Sequence, residues 1–186
     1  MTKPEQRKLI SERVRSLDPS YMGSASDKIK AYLTDCEEWK RADKIFMYHS
    51  TGFEVDTAGI IDAALKADKR VYLPRVISDT DMEFSEYVKD AHLTKGRYGI
   101  MEPDAAGEDT KASIKPDLII IPCVGADRQL RRLGHGKGYY DRYLKRFKDV
   151  KKICLAFDVQ LVDYTVTEDE DVKMDAVLTE SGFIGK

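Results

Sequence analysis

At 186 residues the chain suits a single domain spanning 1–186, and 42% apolar with 34% charged residues describes a real core beneath a heavily charged surface. A formal charge of −2 excludes the global basic field that a nucleic-acid or membrane-surface binder would need. Cys36, Cys123 and Cys154 are too widely spaced for a disulfide framework or a zinc pattern and read as small buried hydrophobes. The opening residues are charged with no apolar run behind them, so no signal peptide is expected, and no stretch reaches the ~18 apolar residues of a membrane span. The expectation is a cytoplasmic protein in a reducing compartment, monomeric, with a small-molecule substrate and with neither nucleic acid nor membrane as a partner.

Residues 3–17 place Leu9, Ile10, Val14 and Leu17 at helical spacing. Lys3 and Arg7 are four apart and share one side of that helix, which on spacing alone also fits a solvated face. Asp18-Pro19-Ser20 breaks the helix, and a second is expected over 24–39. Lys44 to His49 is apolar on both faces, as in a parallel sheet, and ends in a loop carrying Glu54. Ligands gather at the carboxyl ends of such strands, so His49 and Glu54 are candidate contacts, although His49 can equally be a satisfied strand-end histidine. Asp56 or Thr57 then caps a helix over 58–67.

Arg70 to Val76 is the next strand, and Met82 to Val88 alternates like an edge or hairpin strand. Lys95 to Pro103 reads as a glycine-punctuated loop in which Tyr98 either faces a planar ligand or pins the loop, followed by a polar connection over 104–115. Asp117 to Pro122 is a continuous β-branched run and must be central. Further strands are expected at 152–157 and 176–179, with the acidic run 168–171 and Asp175 between them. This pattern predicts an α/β fold built on a parallel sheet.

The stretch 131–143, Arg-Arg-Leu-Gly-His-Gly-Lys-Gly-Tyr-Tyr-Asp-Arg-Tyr, carries the chemistry. Gly134, Gly136 and Gly138 alternate with His135 and Lys137 just before a helix that is expected to run to about 147. Glycines allow close approach to main-chain amides, and unpartnered amides at a helix start attract anions. Arg131, Arg132 and Lys137 add cations. The reading is a phosphate cradle, and it is neither a P-loop, because Gly138 rather than Ser or Thr follows Lys137, nor the G-x-G-x-x-G dinucleotide loop. A bound triphosphate would call for a divalent metal, and Asp141 is well placed to hold magnesium, with Asp171 and Asp175 as alternatives for a second carboxylate.

Arg132 through Asp141, the Lys3/Arg7 pair, Tyr98-Gly-Ile-Met-Glu-Pro103 and Asp171-Val-Lys-Met-Asp175 together resemble the 5-formyltetrahydrofolate cyclo-ligase family, in the same order from first helix to last strand. The resemblance implies an α/β fold with a Rossmann-like open, mostly parallel sheet and helices on both faces, and ATP- and Mg2+-dependent closure of 5-formyltetrahydrofolate to 5,10-methenyltetrahydrofolate. It implies ATP contacts from Lys3, Arg7 and the loop Arg132, Leu133, Gly134, His135, Gly136, Lys137, Gly138, Tyr139 and Tyr140. Lys137 and Arg132 take the catalytic positions, Asp141 and Asp171 the magnesium, and His49, Glu54, Tyr98 and Tyr139 the folate. The chain departs from the family pattern at Leu130, often glycine, at His135, often Tyr or Arg, at Tyr98, Trp in some members, and at Phe53, often polar. A small-metabolite kinase of similar architecture and a non-catalytic anion- or RNA-binding module are the competing readings.

Overall fold

A computed structural model describes residues 1–89, 92–96, 100–103 and 114–185. Thr2 and Glu5 form a reciprocal capping box for α1 (Lys3–Arg15), with Pro4 in its first turn where a missing N–H costs nothing. Asp18, Pro19 and Ser20, expected only to break the chain, also start the next helix. Asp18 accepts from the Ser20 amide as N-cap and Pro19 is the first residue of α2 (Pro19–Asp35), which therefore begins five residues before the predicted 24. A short α3 (Glu37–Arg41) leads into β1 (Lys44–Phe46).

The main sheet has seven strands. β1 is flanked by β2 (Arg70–Val76) and β6 (Leu118–Ile121), with β9 (Lys151–Leu155) and β11 (Ala176–Thr179) beyond β6, all parallel. Antiparallel edges close both sides: β3 (Met82–Tyr87) on β2, and β12 (Gly182–Ile184), which the sequence reading missed, on β11. The expected 95–103 loop instead holds two strands, β4 (Leu93–Lys95) and β5 (Met101–Pro103), paired antiparallel. A three-stranded sheet of β7 (Gly125–Asp127), β8 (Arg132–Leu133) and β10 (Leu161–Val162) frames the glycine loop. Tyr98 and most of the expected connection, residues 104–113, lie outside the described residues.

The period-2 alternation of β6 feeds two cores. Leu118 and Ile120 pack with Ile10 of α1, Ile29 and Leu33 of α2 and Ile60 of α4 (Ala58–Lys66). Ile119 and Ile121 face the other way, toward Phe46, Phe84, Phe147 and Tyr143 of α5 (Tyr139–Leu144). Helices therefore cover both faces, as expected, and the central place of β6 follows from its uninterrupted β-branched run. Cys36, Cys123 and Cys154 are buried free thiols. Among the described residues no helix is long and apolar enough to cross a membrane.

Strand order, not strand direction, switches between β1 and β6: successive strands are added outward from β1 through β2 on one side and from β6 through β9 on the other. In open α/β sheets the crevice beyond such a switch point is where ligands bind. The loops that leave β1 and β6 both open there.

Candidate active site

Beyond the carboxyl ends of β1 and β6 lies a cavity of about 620 Å³, within the range of small-molecule sites. The whole of loop 132–140 borders it, and α1 closes one side with Lys3 and Arg7. Ile10 of α1 seats on Gly125, where a Cβ would lie 2.5 Å from the Ile10 Cδ1, so a bare backbone is needed for that approach. Gln6 is buried and uses both ends of its amide on the main chain of the acidic segment, donating to the Tyr164 carbonyl and accepting from the Val166 amide.

The loop itself is held open. Among the described residues the amides of Gly134, His135, Gly136 and Gly138 meet no protein acceptor. The Arg7 Nε donates to the Gly134 carbonyl at 2.7 Å, and its guanidinium lies 3.2 Å from where a Gly136 Cβ would be. Gly136 (φ 95°) and Gly138 (φ 69°) occupy the left-handed region, which glycine enters without the strain a side chain would bring. The helix that follows is only six residues long, Tyr139–Leu144, rather than reaching 147. Loop amides and side-chain cations, rather than a long helix dipole, are therefore what the loop could offer an anion.

The cations are not all where charge alone would put them. Lys137 borders the cavity, whereas Arg131 does not. Arg132 turns under the loop: its guanidinium is buried, donating to Asp141 Oδ2 at 2.9 Å and to the Pro122 carbonyl at 3.3 Å. Burial opposes that charge, but Asp141 more than restores it and the guanidinium pKa is held above its ordinary value. The lack of a side chain at Gly134 makes room, since a Cβ there would lie 2.7 Å from the Arg132 Nη1.

Asp141 and Asp171 share the cavity wall. Asp141 Oδ1 also accepts from the Val172 amide at 3.3 Å, tying the acidic segment to α5, and Asp171 Oδ2 receives the Lys3 ammonium at 2.7 Å. Asp175 lies elsewhere: its Oδ2 caps the Lys152 amide at the opposite end of β9, away from the cavity. Among the described residues no three His, Cys, Asp or Glu side chains converge. Two neighbouring carboxylates that retain lone pairs fit magnesium, which takes one or two carboxylates plus phosphate oxygens and water.

On the β1 side, His49 and Glu54 also border the cavity. The His49 Nδ1 is buried without a partner among the described residues, an orphan that a ligand can satisfy. Glu54 Oε2 accepts from the Thr51 amide and hydroxyl, and its Oε1 lies 3.3 Å from the His135 Nε2 across the opening. Of the two expected caps, Thr57 stands at the N-cap position without a capping bond and donates instead to the Tyr48 carbonyl, while Asp56 accepts the Ala58 amide. Tyr139 donates to the Ser78 carbonyl at 3.1 Å, pinning the β2–β3 turn, and Tyr140 is a neighbour whose phenol burial pushes up. The sequence reading missed Tyr48, Pro74, Val76, Met82 and Glu102 on this wall. Only Glu102 had any signal, inside the Met-Glu-Pro stretch.

Apart from Arg131 and Asp175, every candidate site residue within the described residues therefore borders one cavity. The description of the 5-formyltetrahydrofolate cyclo-ligase family matches residues 1–180. The chain is 31% identical to the Schizosaccharomyces pombe protein named "Probable 5-formyltetrahydrofolate cyclo-ligase", covering 96% of this chain and 95% of that one. Against the Escherichia coli 5-formyltetrahydrofolate cyclo-ligase it is 30% identical, over 93% and 97% of the two chains. The Aquifex aeolicus 5,10-methenyltetrahydrofolate synthetase structure superposes with a TM-score of 0.82 at 30% identity, over 98% of this chain and 92% of that one.

Proposed function

The chain belongs to the 5-formyltetrahydrofolate cyclo-ligase family and is an enzyme of that class, and from that premise we propose that it closes 5-formyltetrahydrofolate to 5,10-methenyltetrahydrofolate at the expense of ATP, releasing ADP and phosphate. The observation that carries the ATP part is the open loop, whose amides at 134, 135, 136 and 138 lack acceptors among the described residues and stand beside Arg7 and Lys137.

An N5-formyl group is an amide, so its oxygen is the nucleophilic end and its carbon a poor electrophile. In the proposed sequence that oxygen attacks the γ-phosphoryl and ADP departs. N10 then adds to the activated carbon and gives up its proton to solvent, and phosphate leaves as the C–O bond breaks. No protein nucleophile is needed; the protein positions the reactants and stabilises charge. Lys3 and Arg7 bind the nucleotide from α1. The loop amides and Lys137 take the charge that builds on the transferring group. When bound, magnesium would neutralise phosphate charge and polarise the γ-phosphoryl. Asp141 and Asp171 would hold it, and Arg132 is a positioning residue acting through Asp141. His49, Glu54 and Tyr139 contact the folate.

The direct test follows the methenyl chromophore with folinate, ATP and magnesium present, omitting each in turn. Absorbance should grow only in the complete mixture. Phosphate should likewise be released only when folinate is present; ADP formation with another acceptor and without free phosphate would point instead to a kinase.

A further inference from the structure

The cavity has two ends of different chemistry. Near the loop its wall is charged, with Lys3, Arg7, Lys137, Asp141 and Asp171. Toward β2 and β3 it is apolar, formed by Pro74, Val76, Met82 and Ile100 beside the Tyr139 ring. Glu102 is the exception in that second wall, a carboxylate only 6% exposed.

The fold seats this carboxylate deliberately. Glu102 lies on β5, paired with Thr94 of β4. The Val76 amide, at the end of β2, donates to its Oε1 at 3.2 Å, its one hydrogen bond among the described residues. Gly96 faces it with no side chain, and a Cβ there would overlap the carboxyl group. An ionised carboxylate in an apolar wall is unfavourable unless its lone pairs find donors, and one amide leaves most of them unused. The reduced pterin, if the folate reading above holds, carries two parallel donors on one edge, the 2-amino group and N3–H. That edge matches a carboxylate in the bidentate manner that makes charge-assisted pairs strong and selective.

We infer that Glu102 is a specificity-determining residue that receives the 2-amino/N3–H edge of the pterin, placing the ring in the apolar end with its formyl group toward the loop. A purely structural Glu102 would only stitch β5 to the end of β2. The two roles separate in Glu102→Gln, because the amide oxygen can still accept from Val76 while the second acceptor and the charge are lost.

The experiment titrates folinate and its 2-desamino-2-methyl analogue into wild type and Glu102→Gln by calorimetry without ATP, with urea unfolding of both proteins alongside. Wild type should prefer folinate by about tenfold to a hundredfold, the scale of hydrogen bonds to a charged group. Glu102→Gln should lose that factor for folinate, bind the analogue as wild type does, and unfold at an unchanged urea midpoint. A preference that persists in Glu102→Gln overturns the assignment. So does a wild type without any preference, a result that does not depend on the variant folding. Wild type that binds neither ligand would instead sink the folate reading, taking this assignment with it.

Discussion

The buried pair of Arg132 and Asp141 should behave as one energetic unit. Their atoms are 2.9 Å apart, and the side chains are 3% and 18% exposed. At an effective dielectric of ~20 the direct attraction is on the order of 5 kcal/mol, and desolvation offsets part of it. Removing one partner of a buried pair typically costs ~3–5 kcal/mol because the other charge is stranded. Asp141 keeps the Val172 amide and some solvent, so Arg132→Met should sit near the low end, about 3 kcal/mol. Arg132→Met combined with Asp141→Asn should cost less than the sum of the singles, with a coupling of about 2 kcal/mol. Urea unfolding of the four proteins at neutral pH measures this cycle. Additivity to within ~0.5 kcal/mol would refute the claim that Arg132 acts through Asp141.

Lys137 is exposed, so Lys137→Ala should leave the melting temperature unchanged while turnover falls by about a hundredfold, the scale of losing one preorganised charge contact; undiminished turnover would remove Lys137 from the proposed mechanism. Asp171→Asn should raise the magnesium concentration needed for half-maximal rate. Asp175→Ala, away from the cavity, should instead cost ~1–2 kcal/mol of stability by unpairing the Lys152 amide, with the magnesium dependence unmoved. Leu130 sits at φ 67°, where side chains, β-branched ones above all, are strained. Leu130→Val should therefore be less stable in thermal melts than Leu130→Gly, although it removes less apolar surface; the reverse order would show that the turn is unstrained.

The left-handed backbone at Leu130 gives a physical reason for the glycine that the family resemblance leads one to expect there. Four main-chain and capping contacts around Leu130 hold the turn regardless: Leu130 donates to the Asp127 carbonyl, Asp127 Oδ1 takes the Gln129 and Arg131 amides, and Met174 donates to the Leu130 carbonyl. Elements with a strong period were legible, because a run such as Leu118–Ile121 can be satisfied only between two apolar layers. Strands of two or three residues, such as Arg132–Leu133 and Leu161–Val162, carry no period to detect. Residue type also says nothing about direction. Arg131 and Arg132 are adjacent and alike, yet one points off the cavity and the other beneath it, since only β8 pairing decides which side chain turns inward. Glu102 escaped for a related reason, as its meaning depends on Val76 and Gly96 arriving from separate strands.

The capping box at Thr2 and Glu5 has a practical side for anyone handling this protein. Its neighbour Lys3 reaches Asp171 across the mouth of the cavity, and Met1 stands out into solvent directly ahead of it. Purification handles fused in front of Met1 would emerge beside the charged end of the cavity and compete with the helix cap. β12 runs antiparallel to β11, so a handle after it leaves from the amino-end side of the parallel strands, away from the cavity, and kinetic comparisons between preparations are safest with the label placed there.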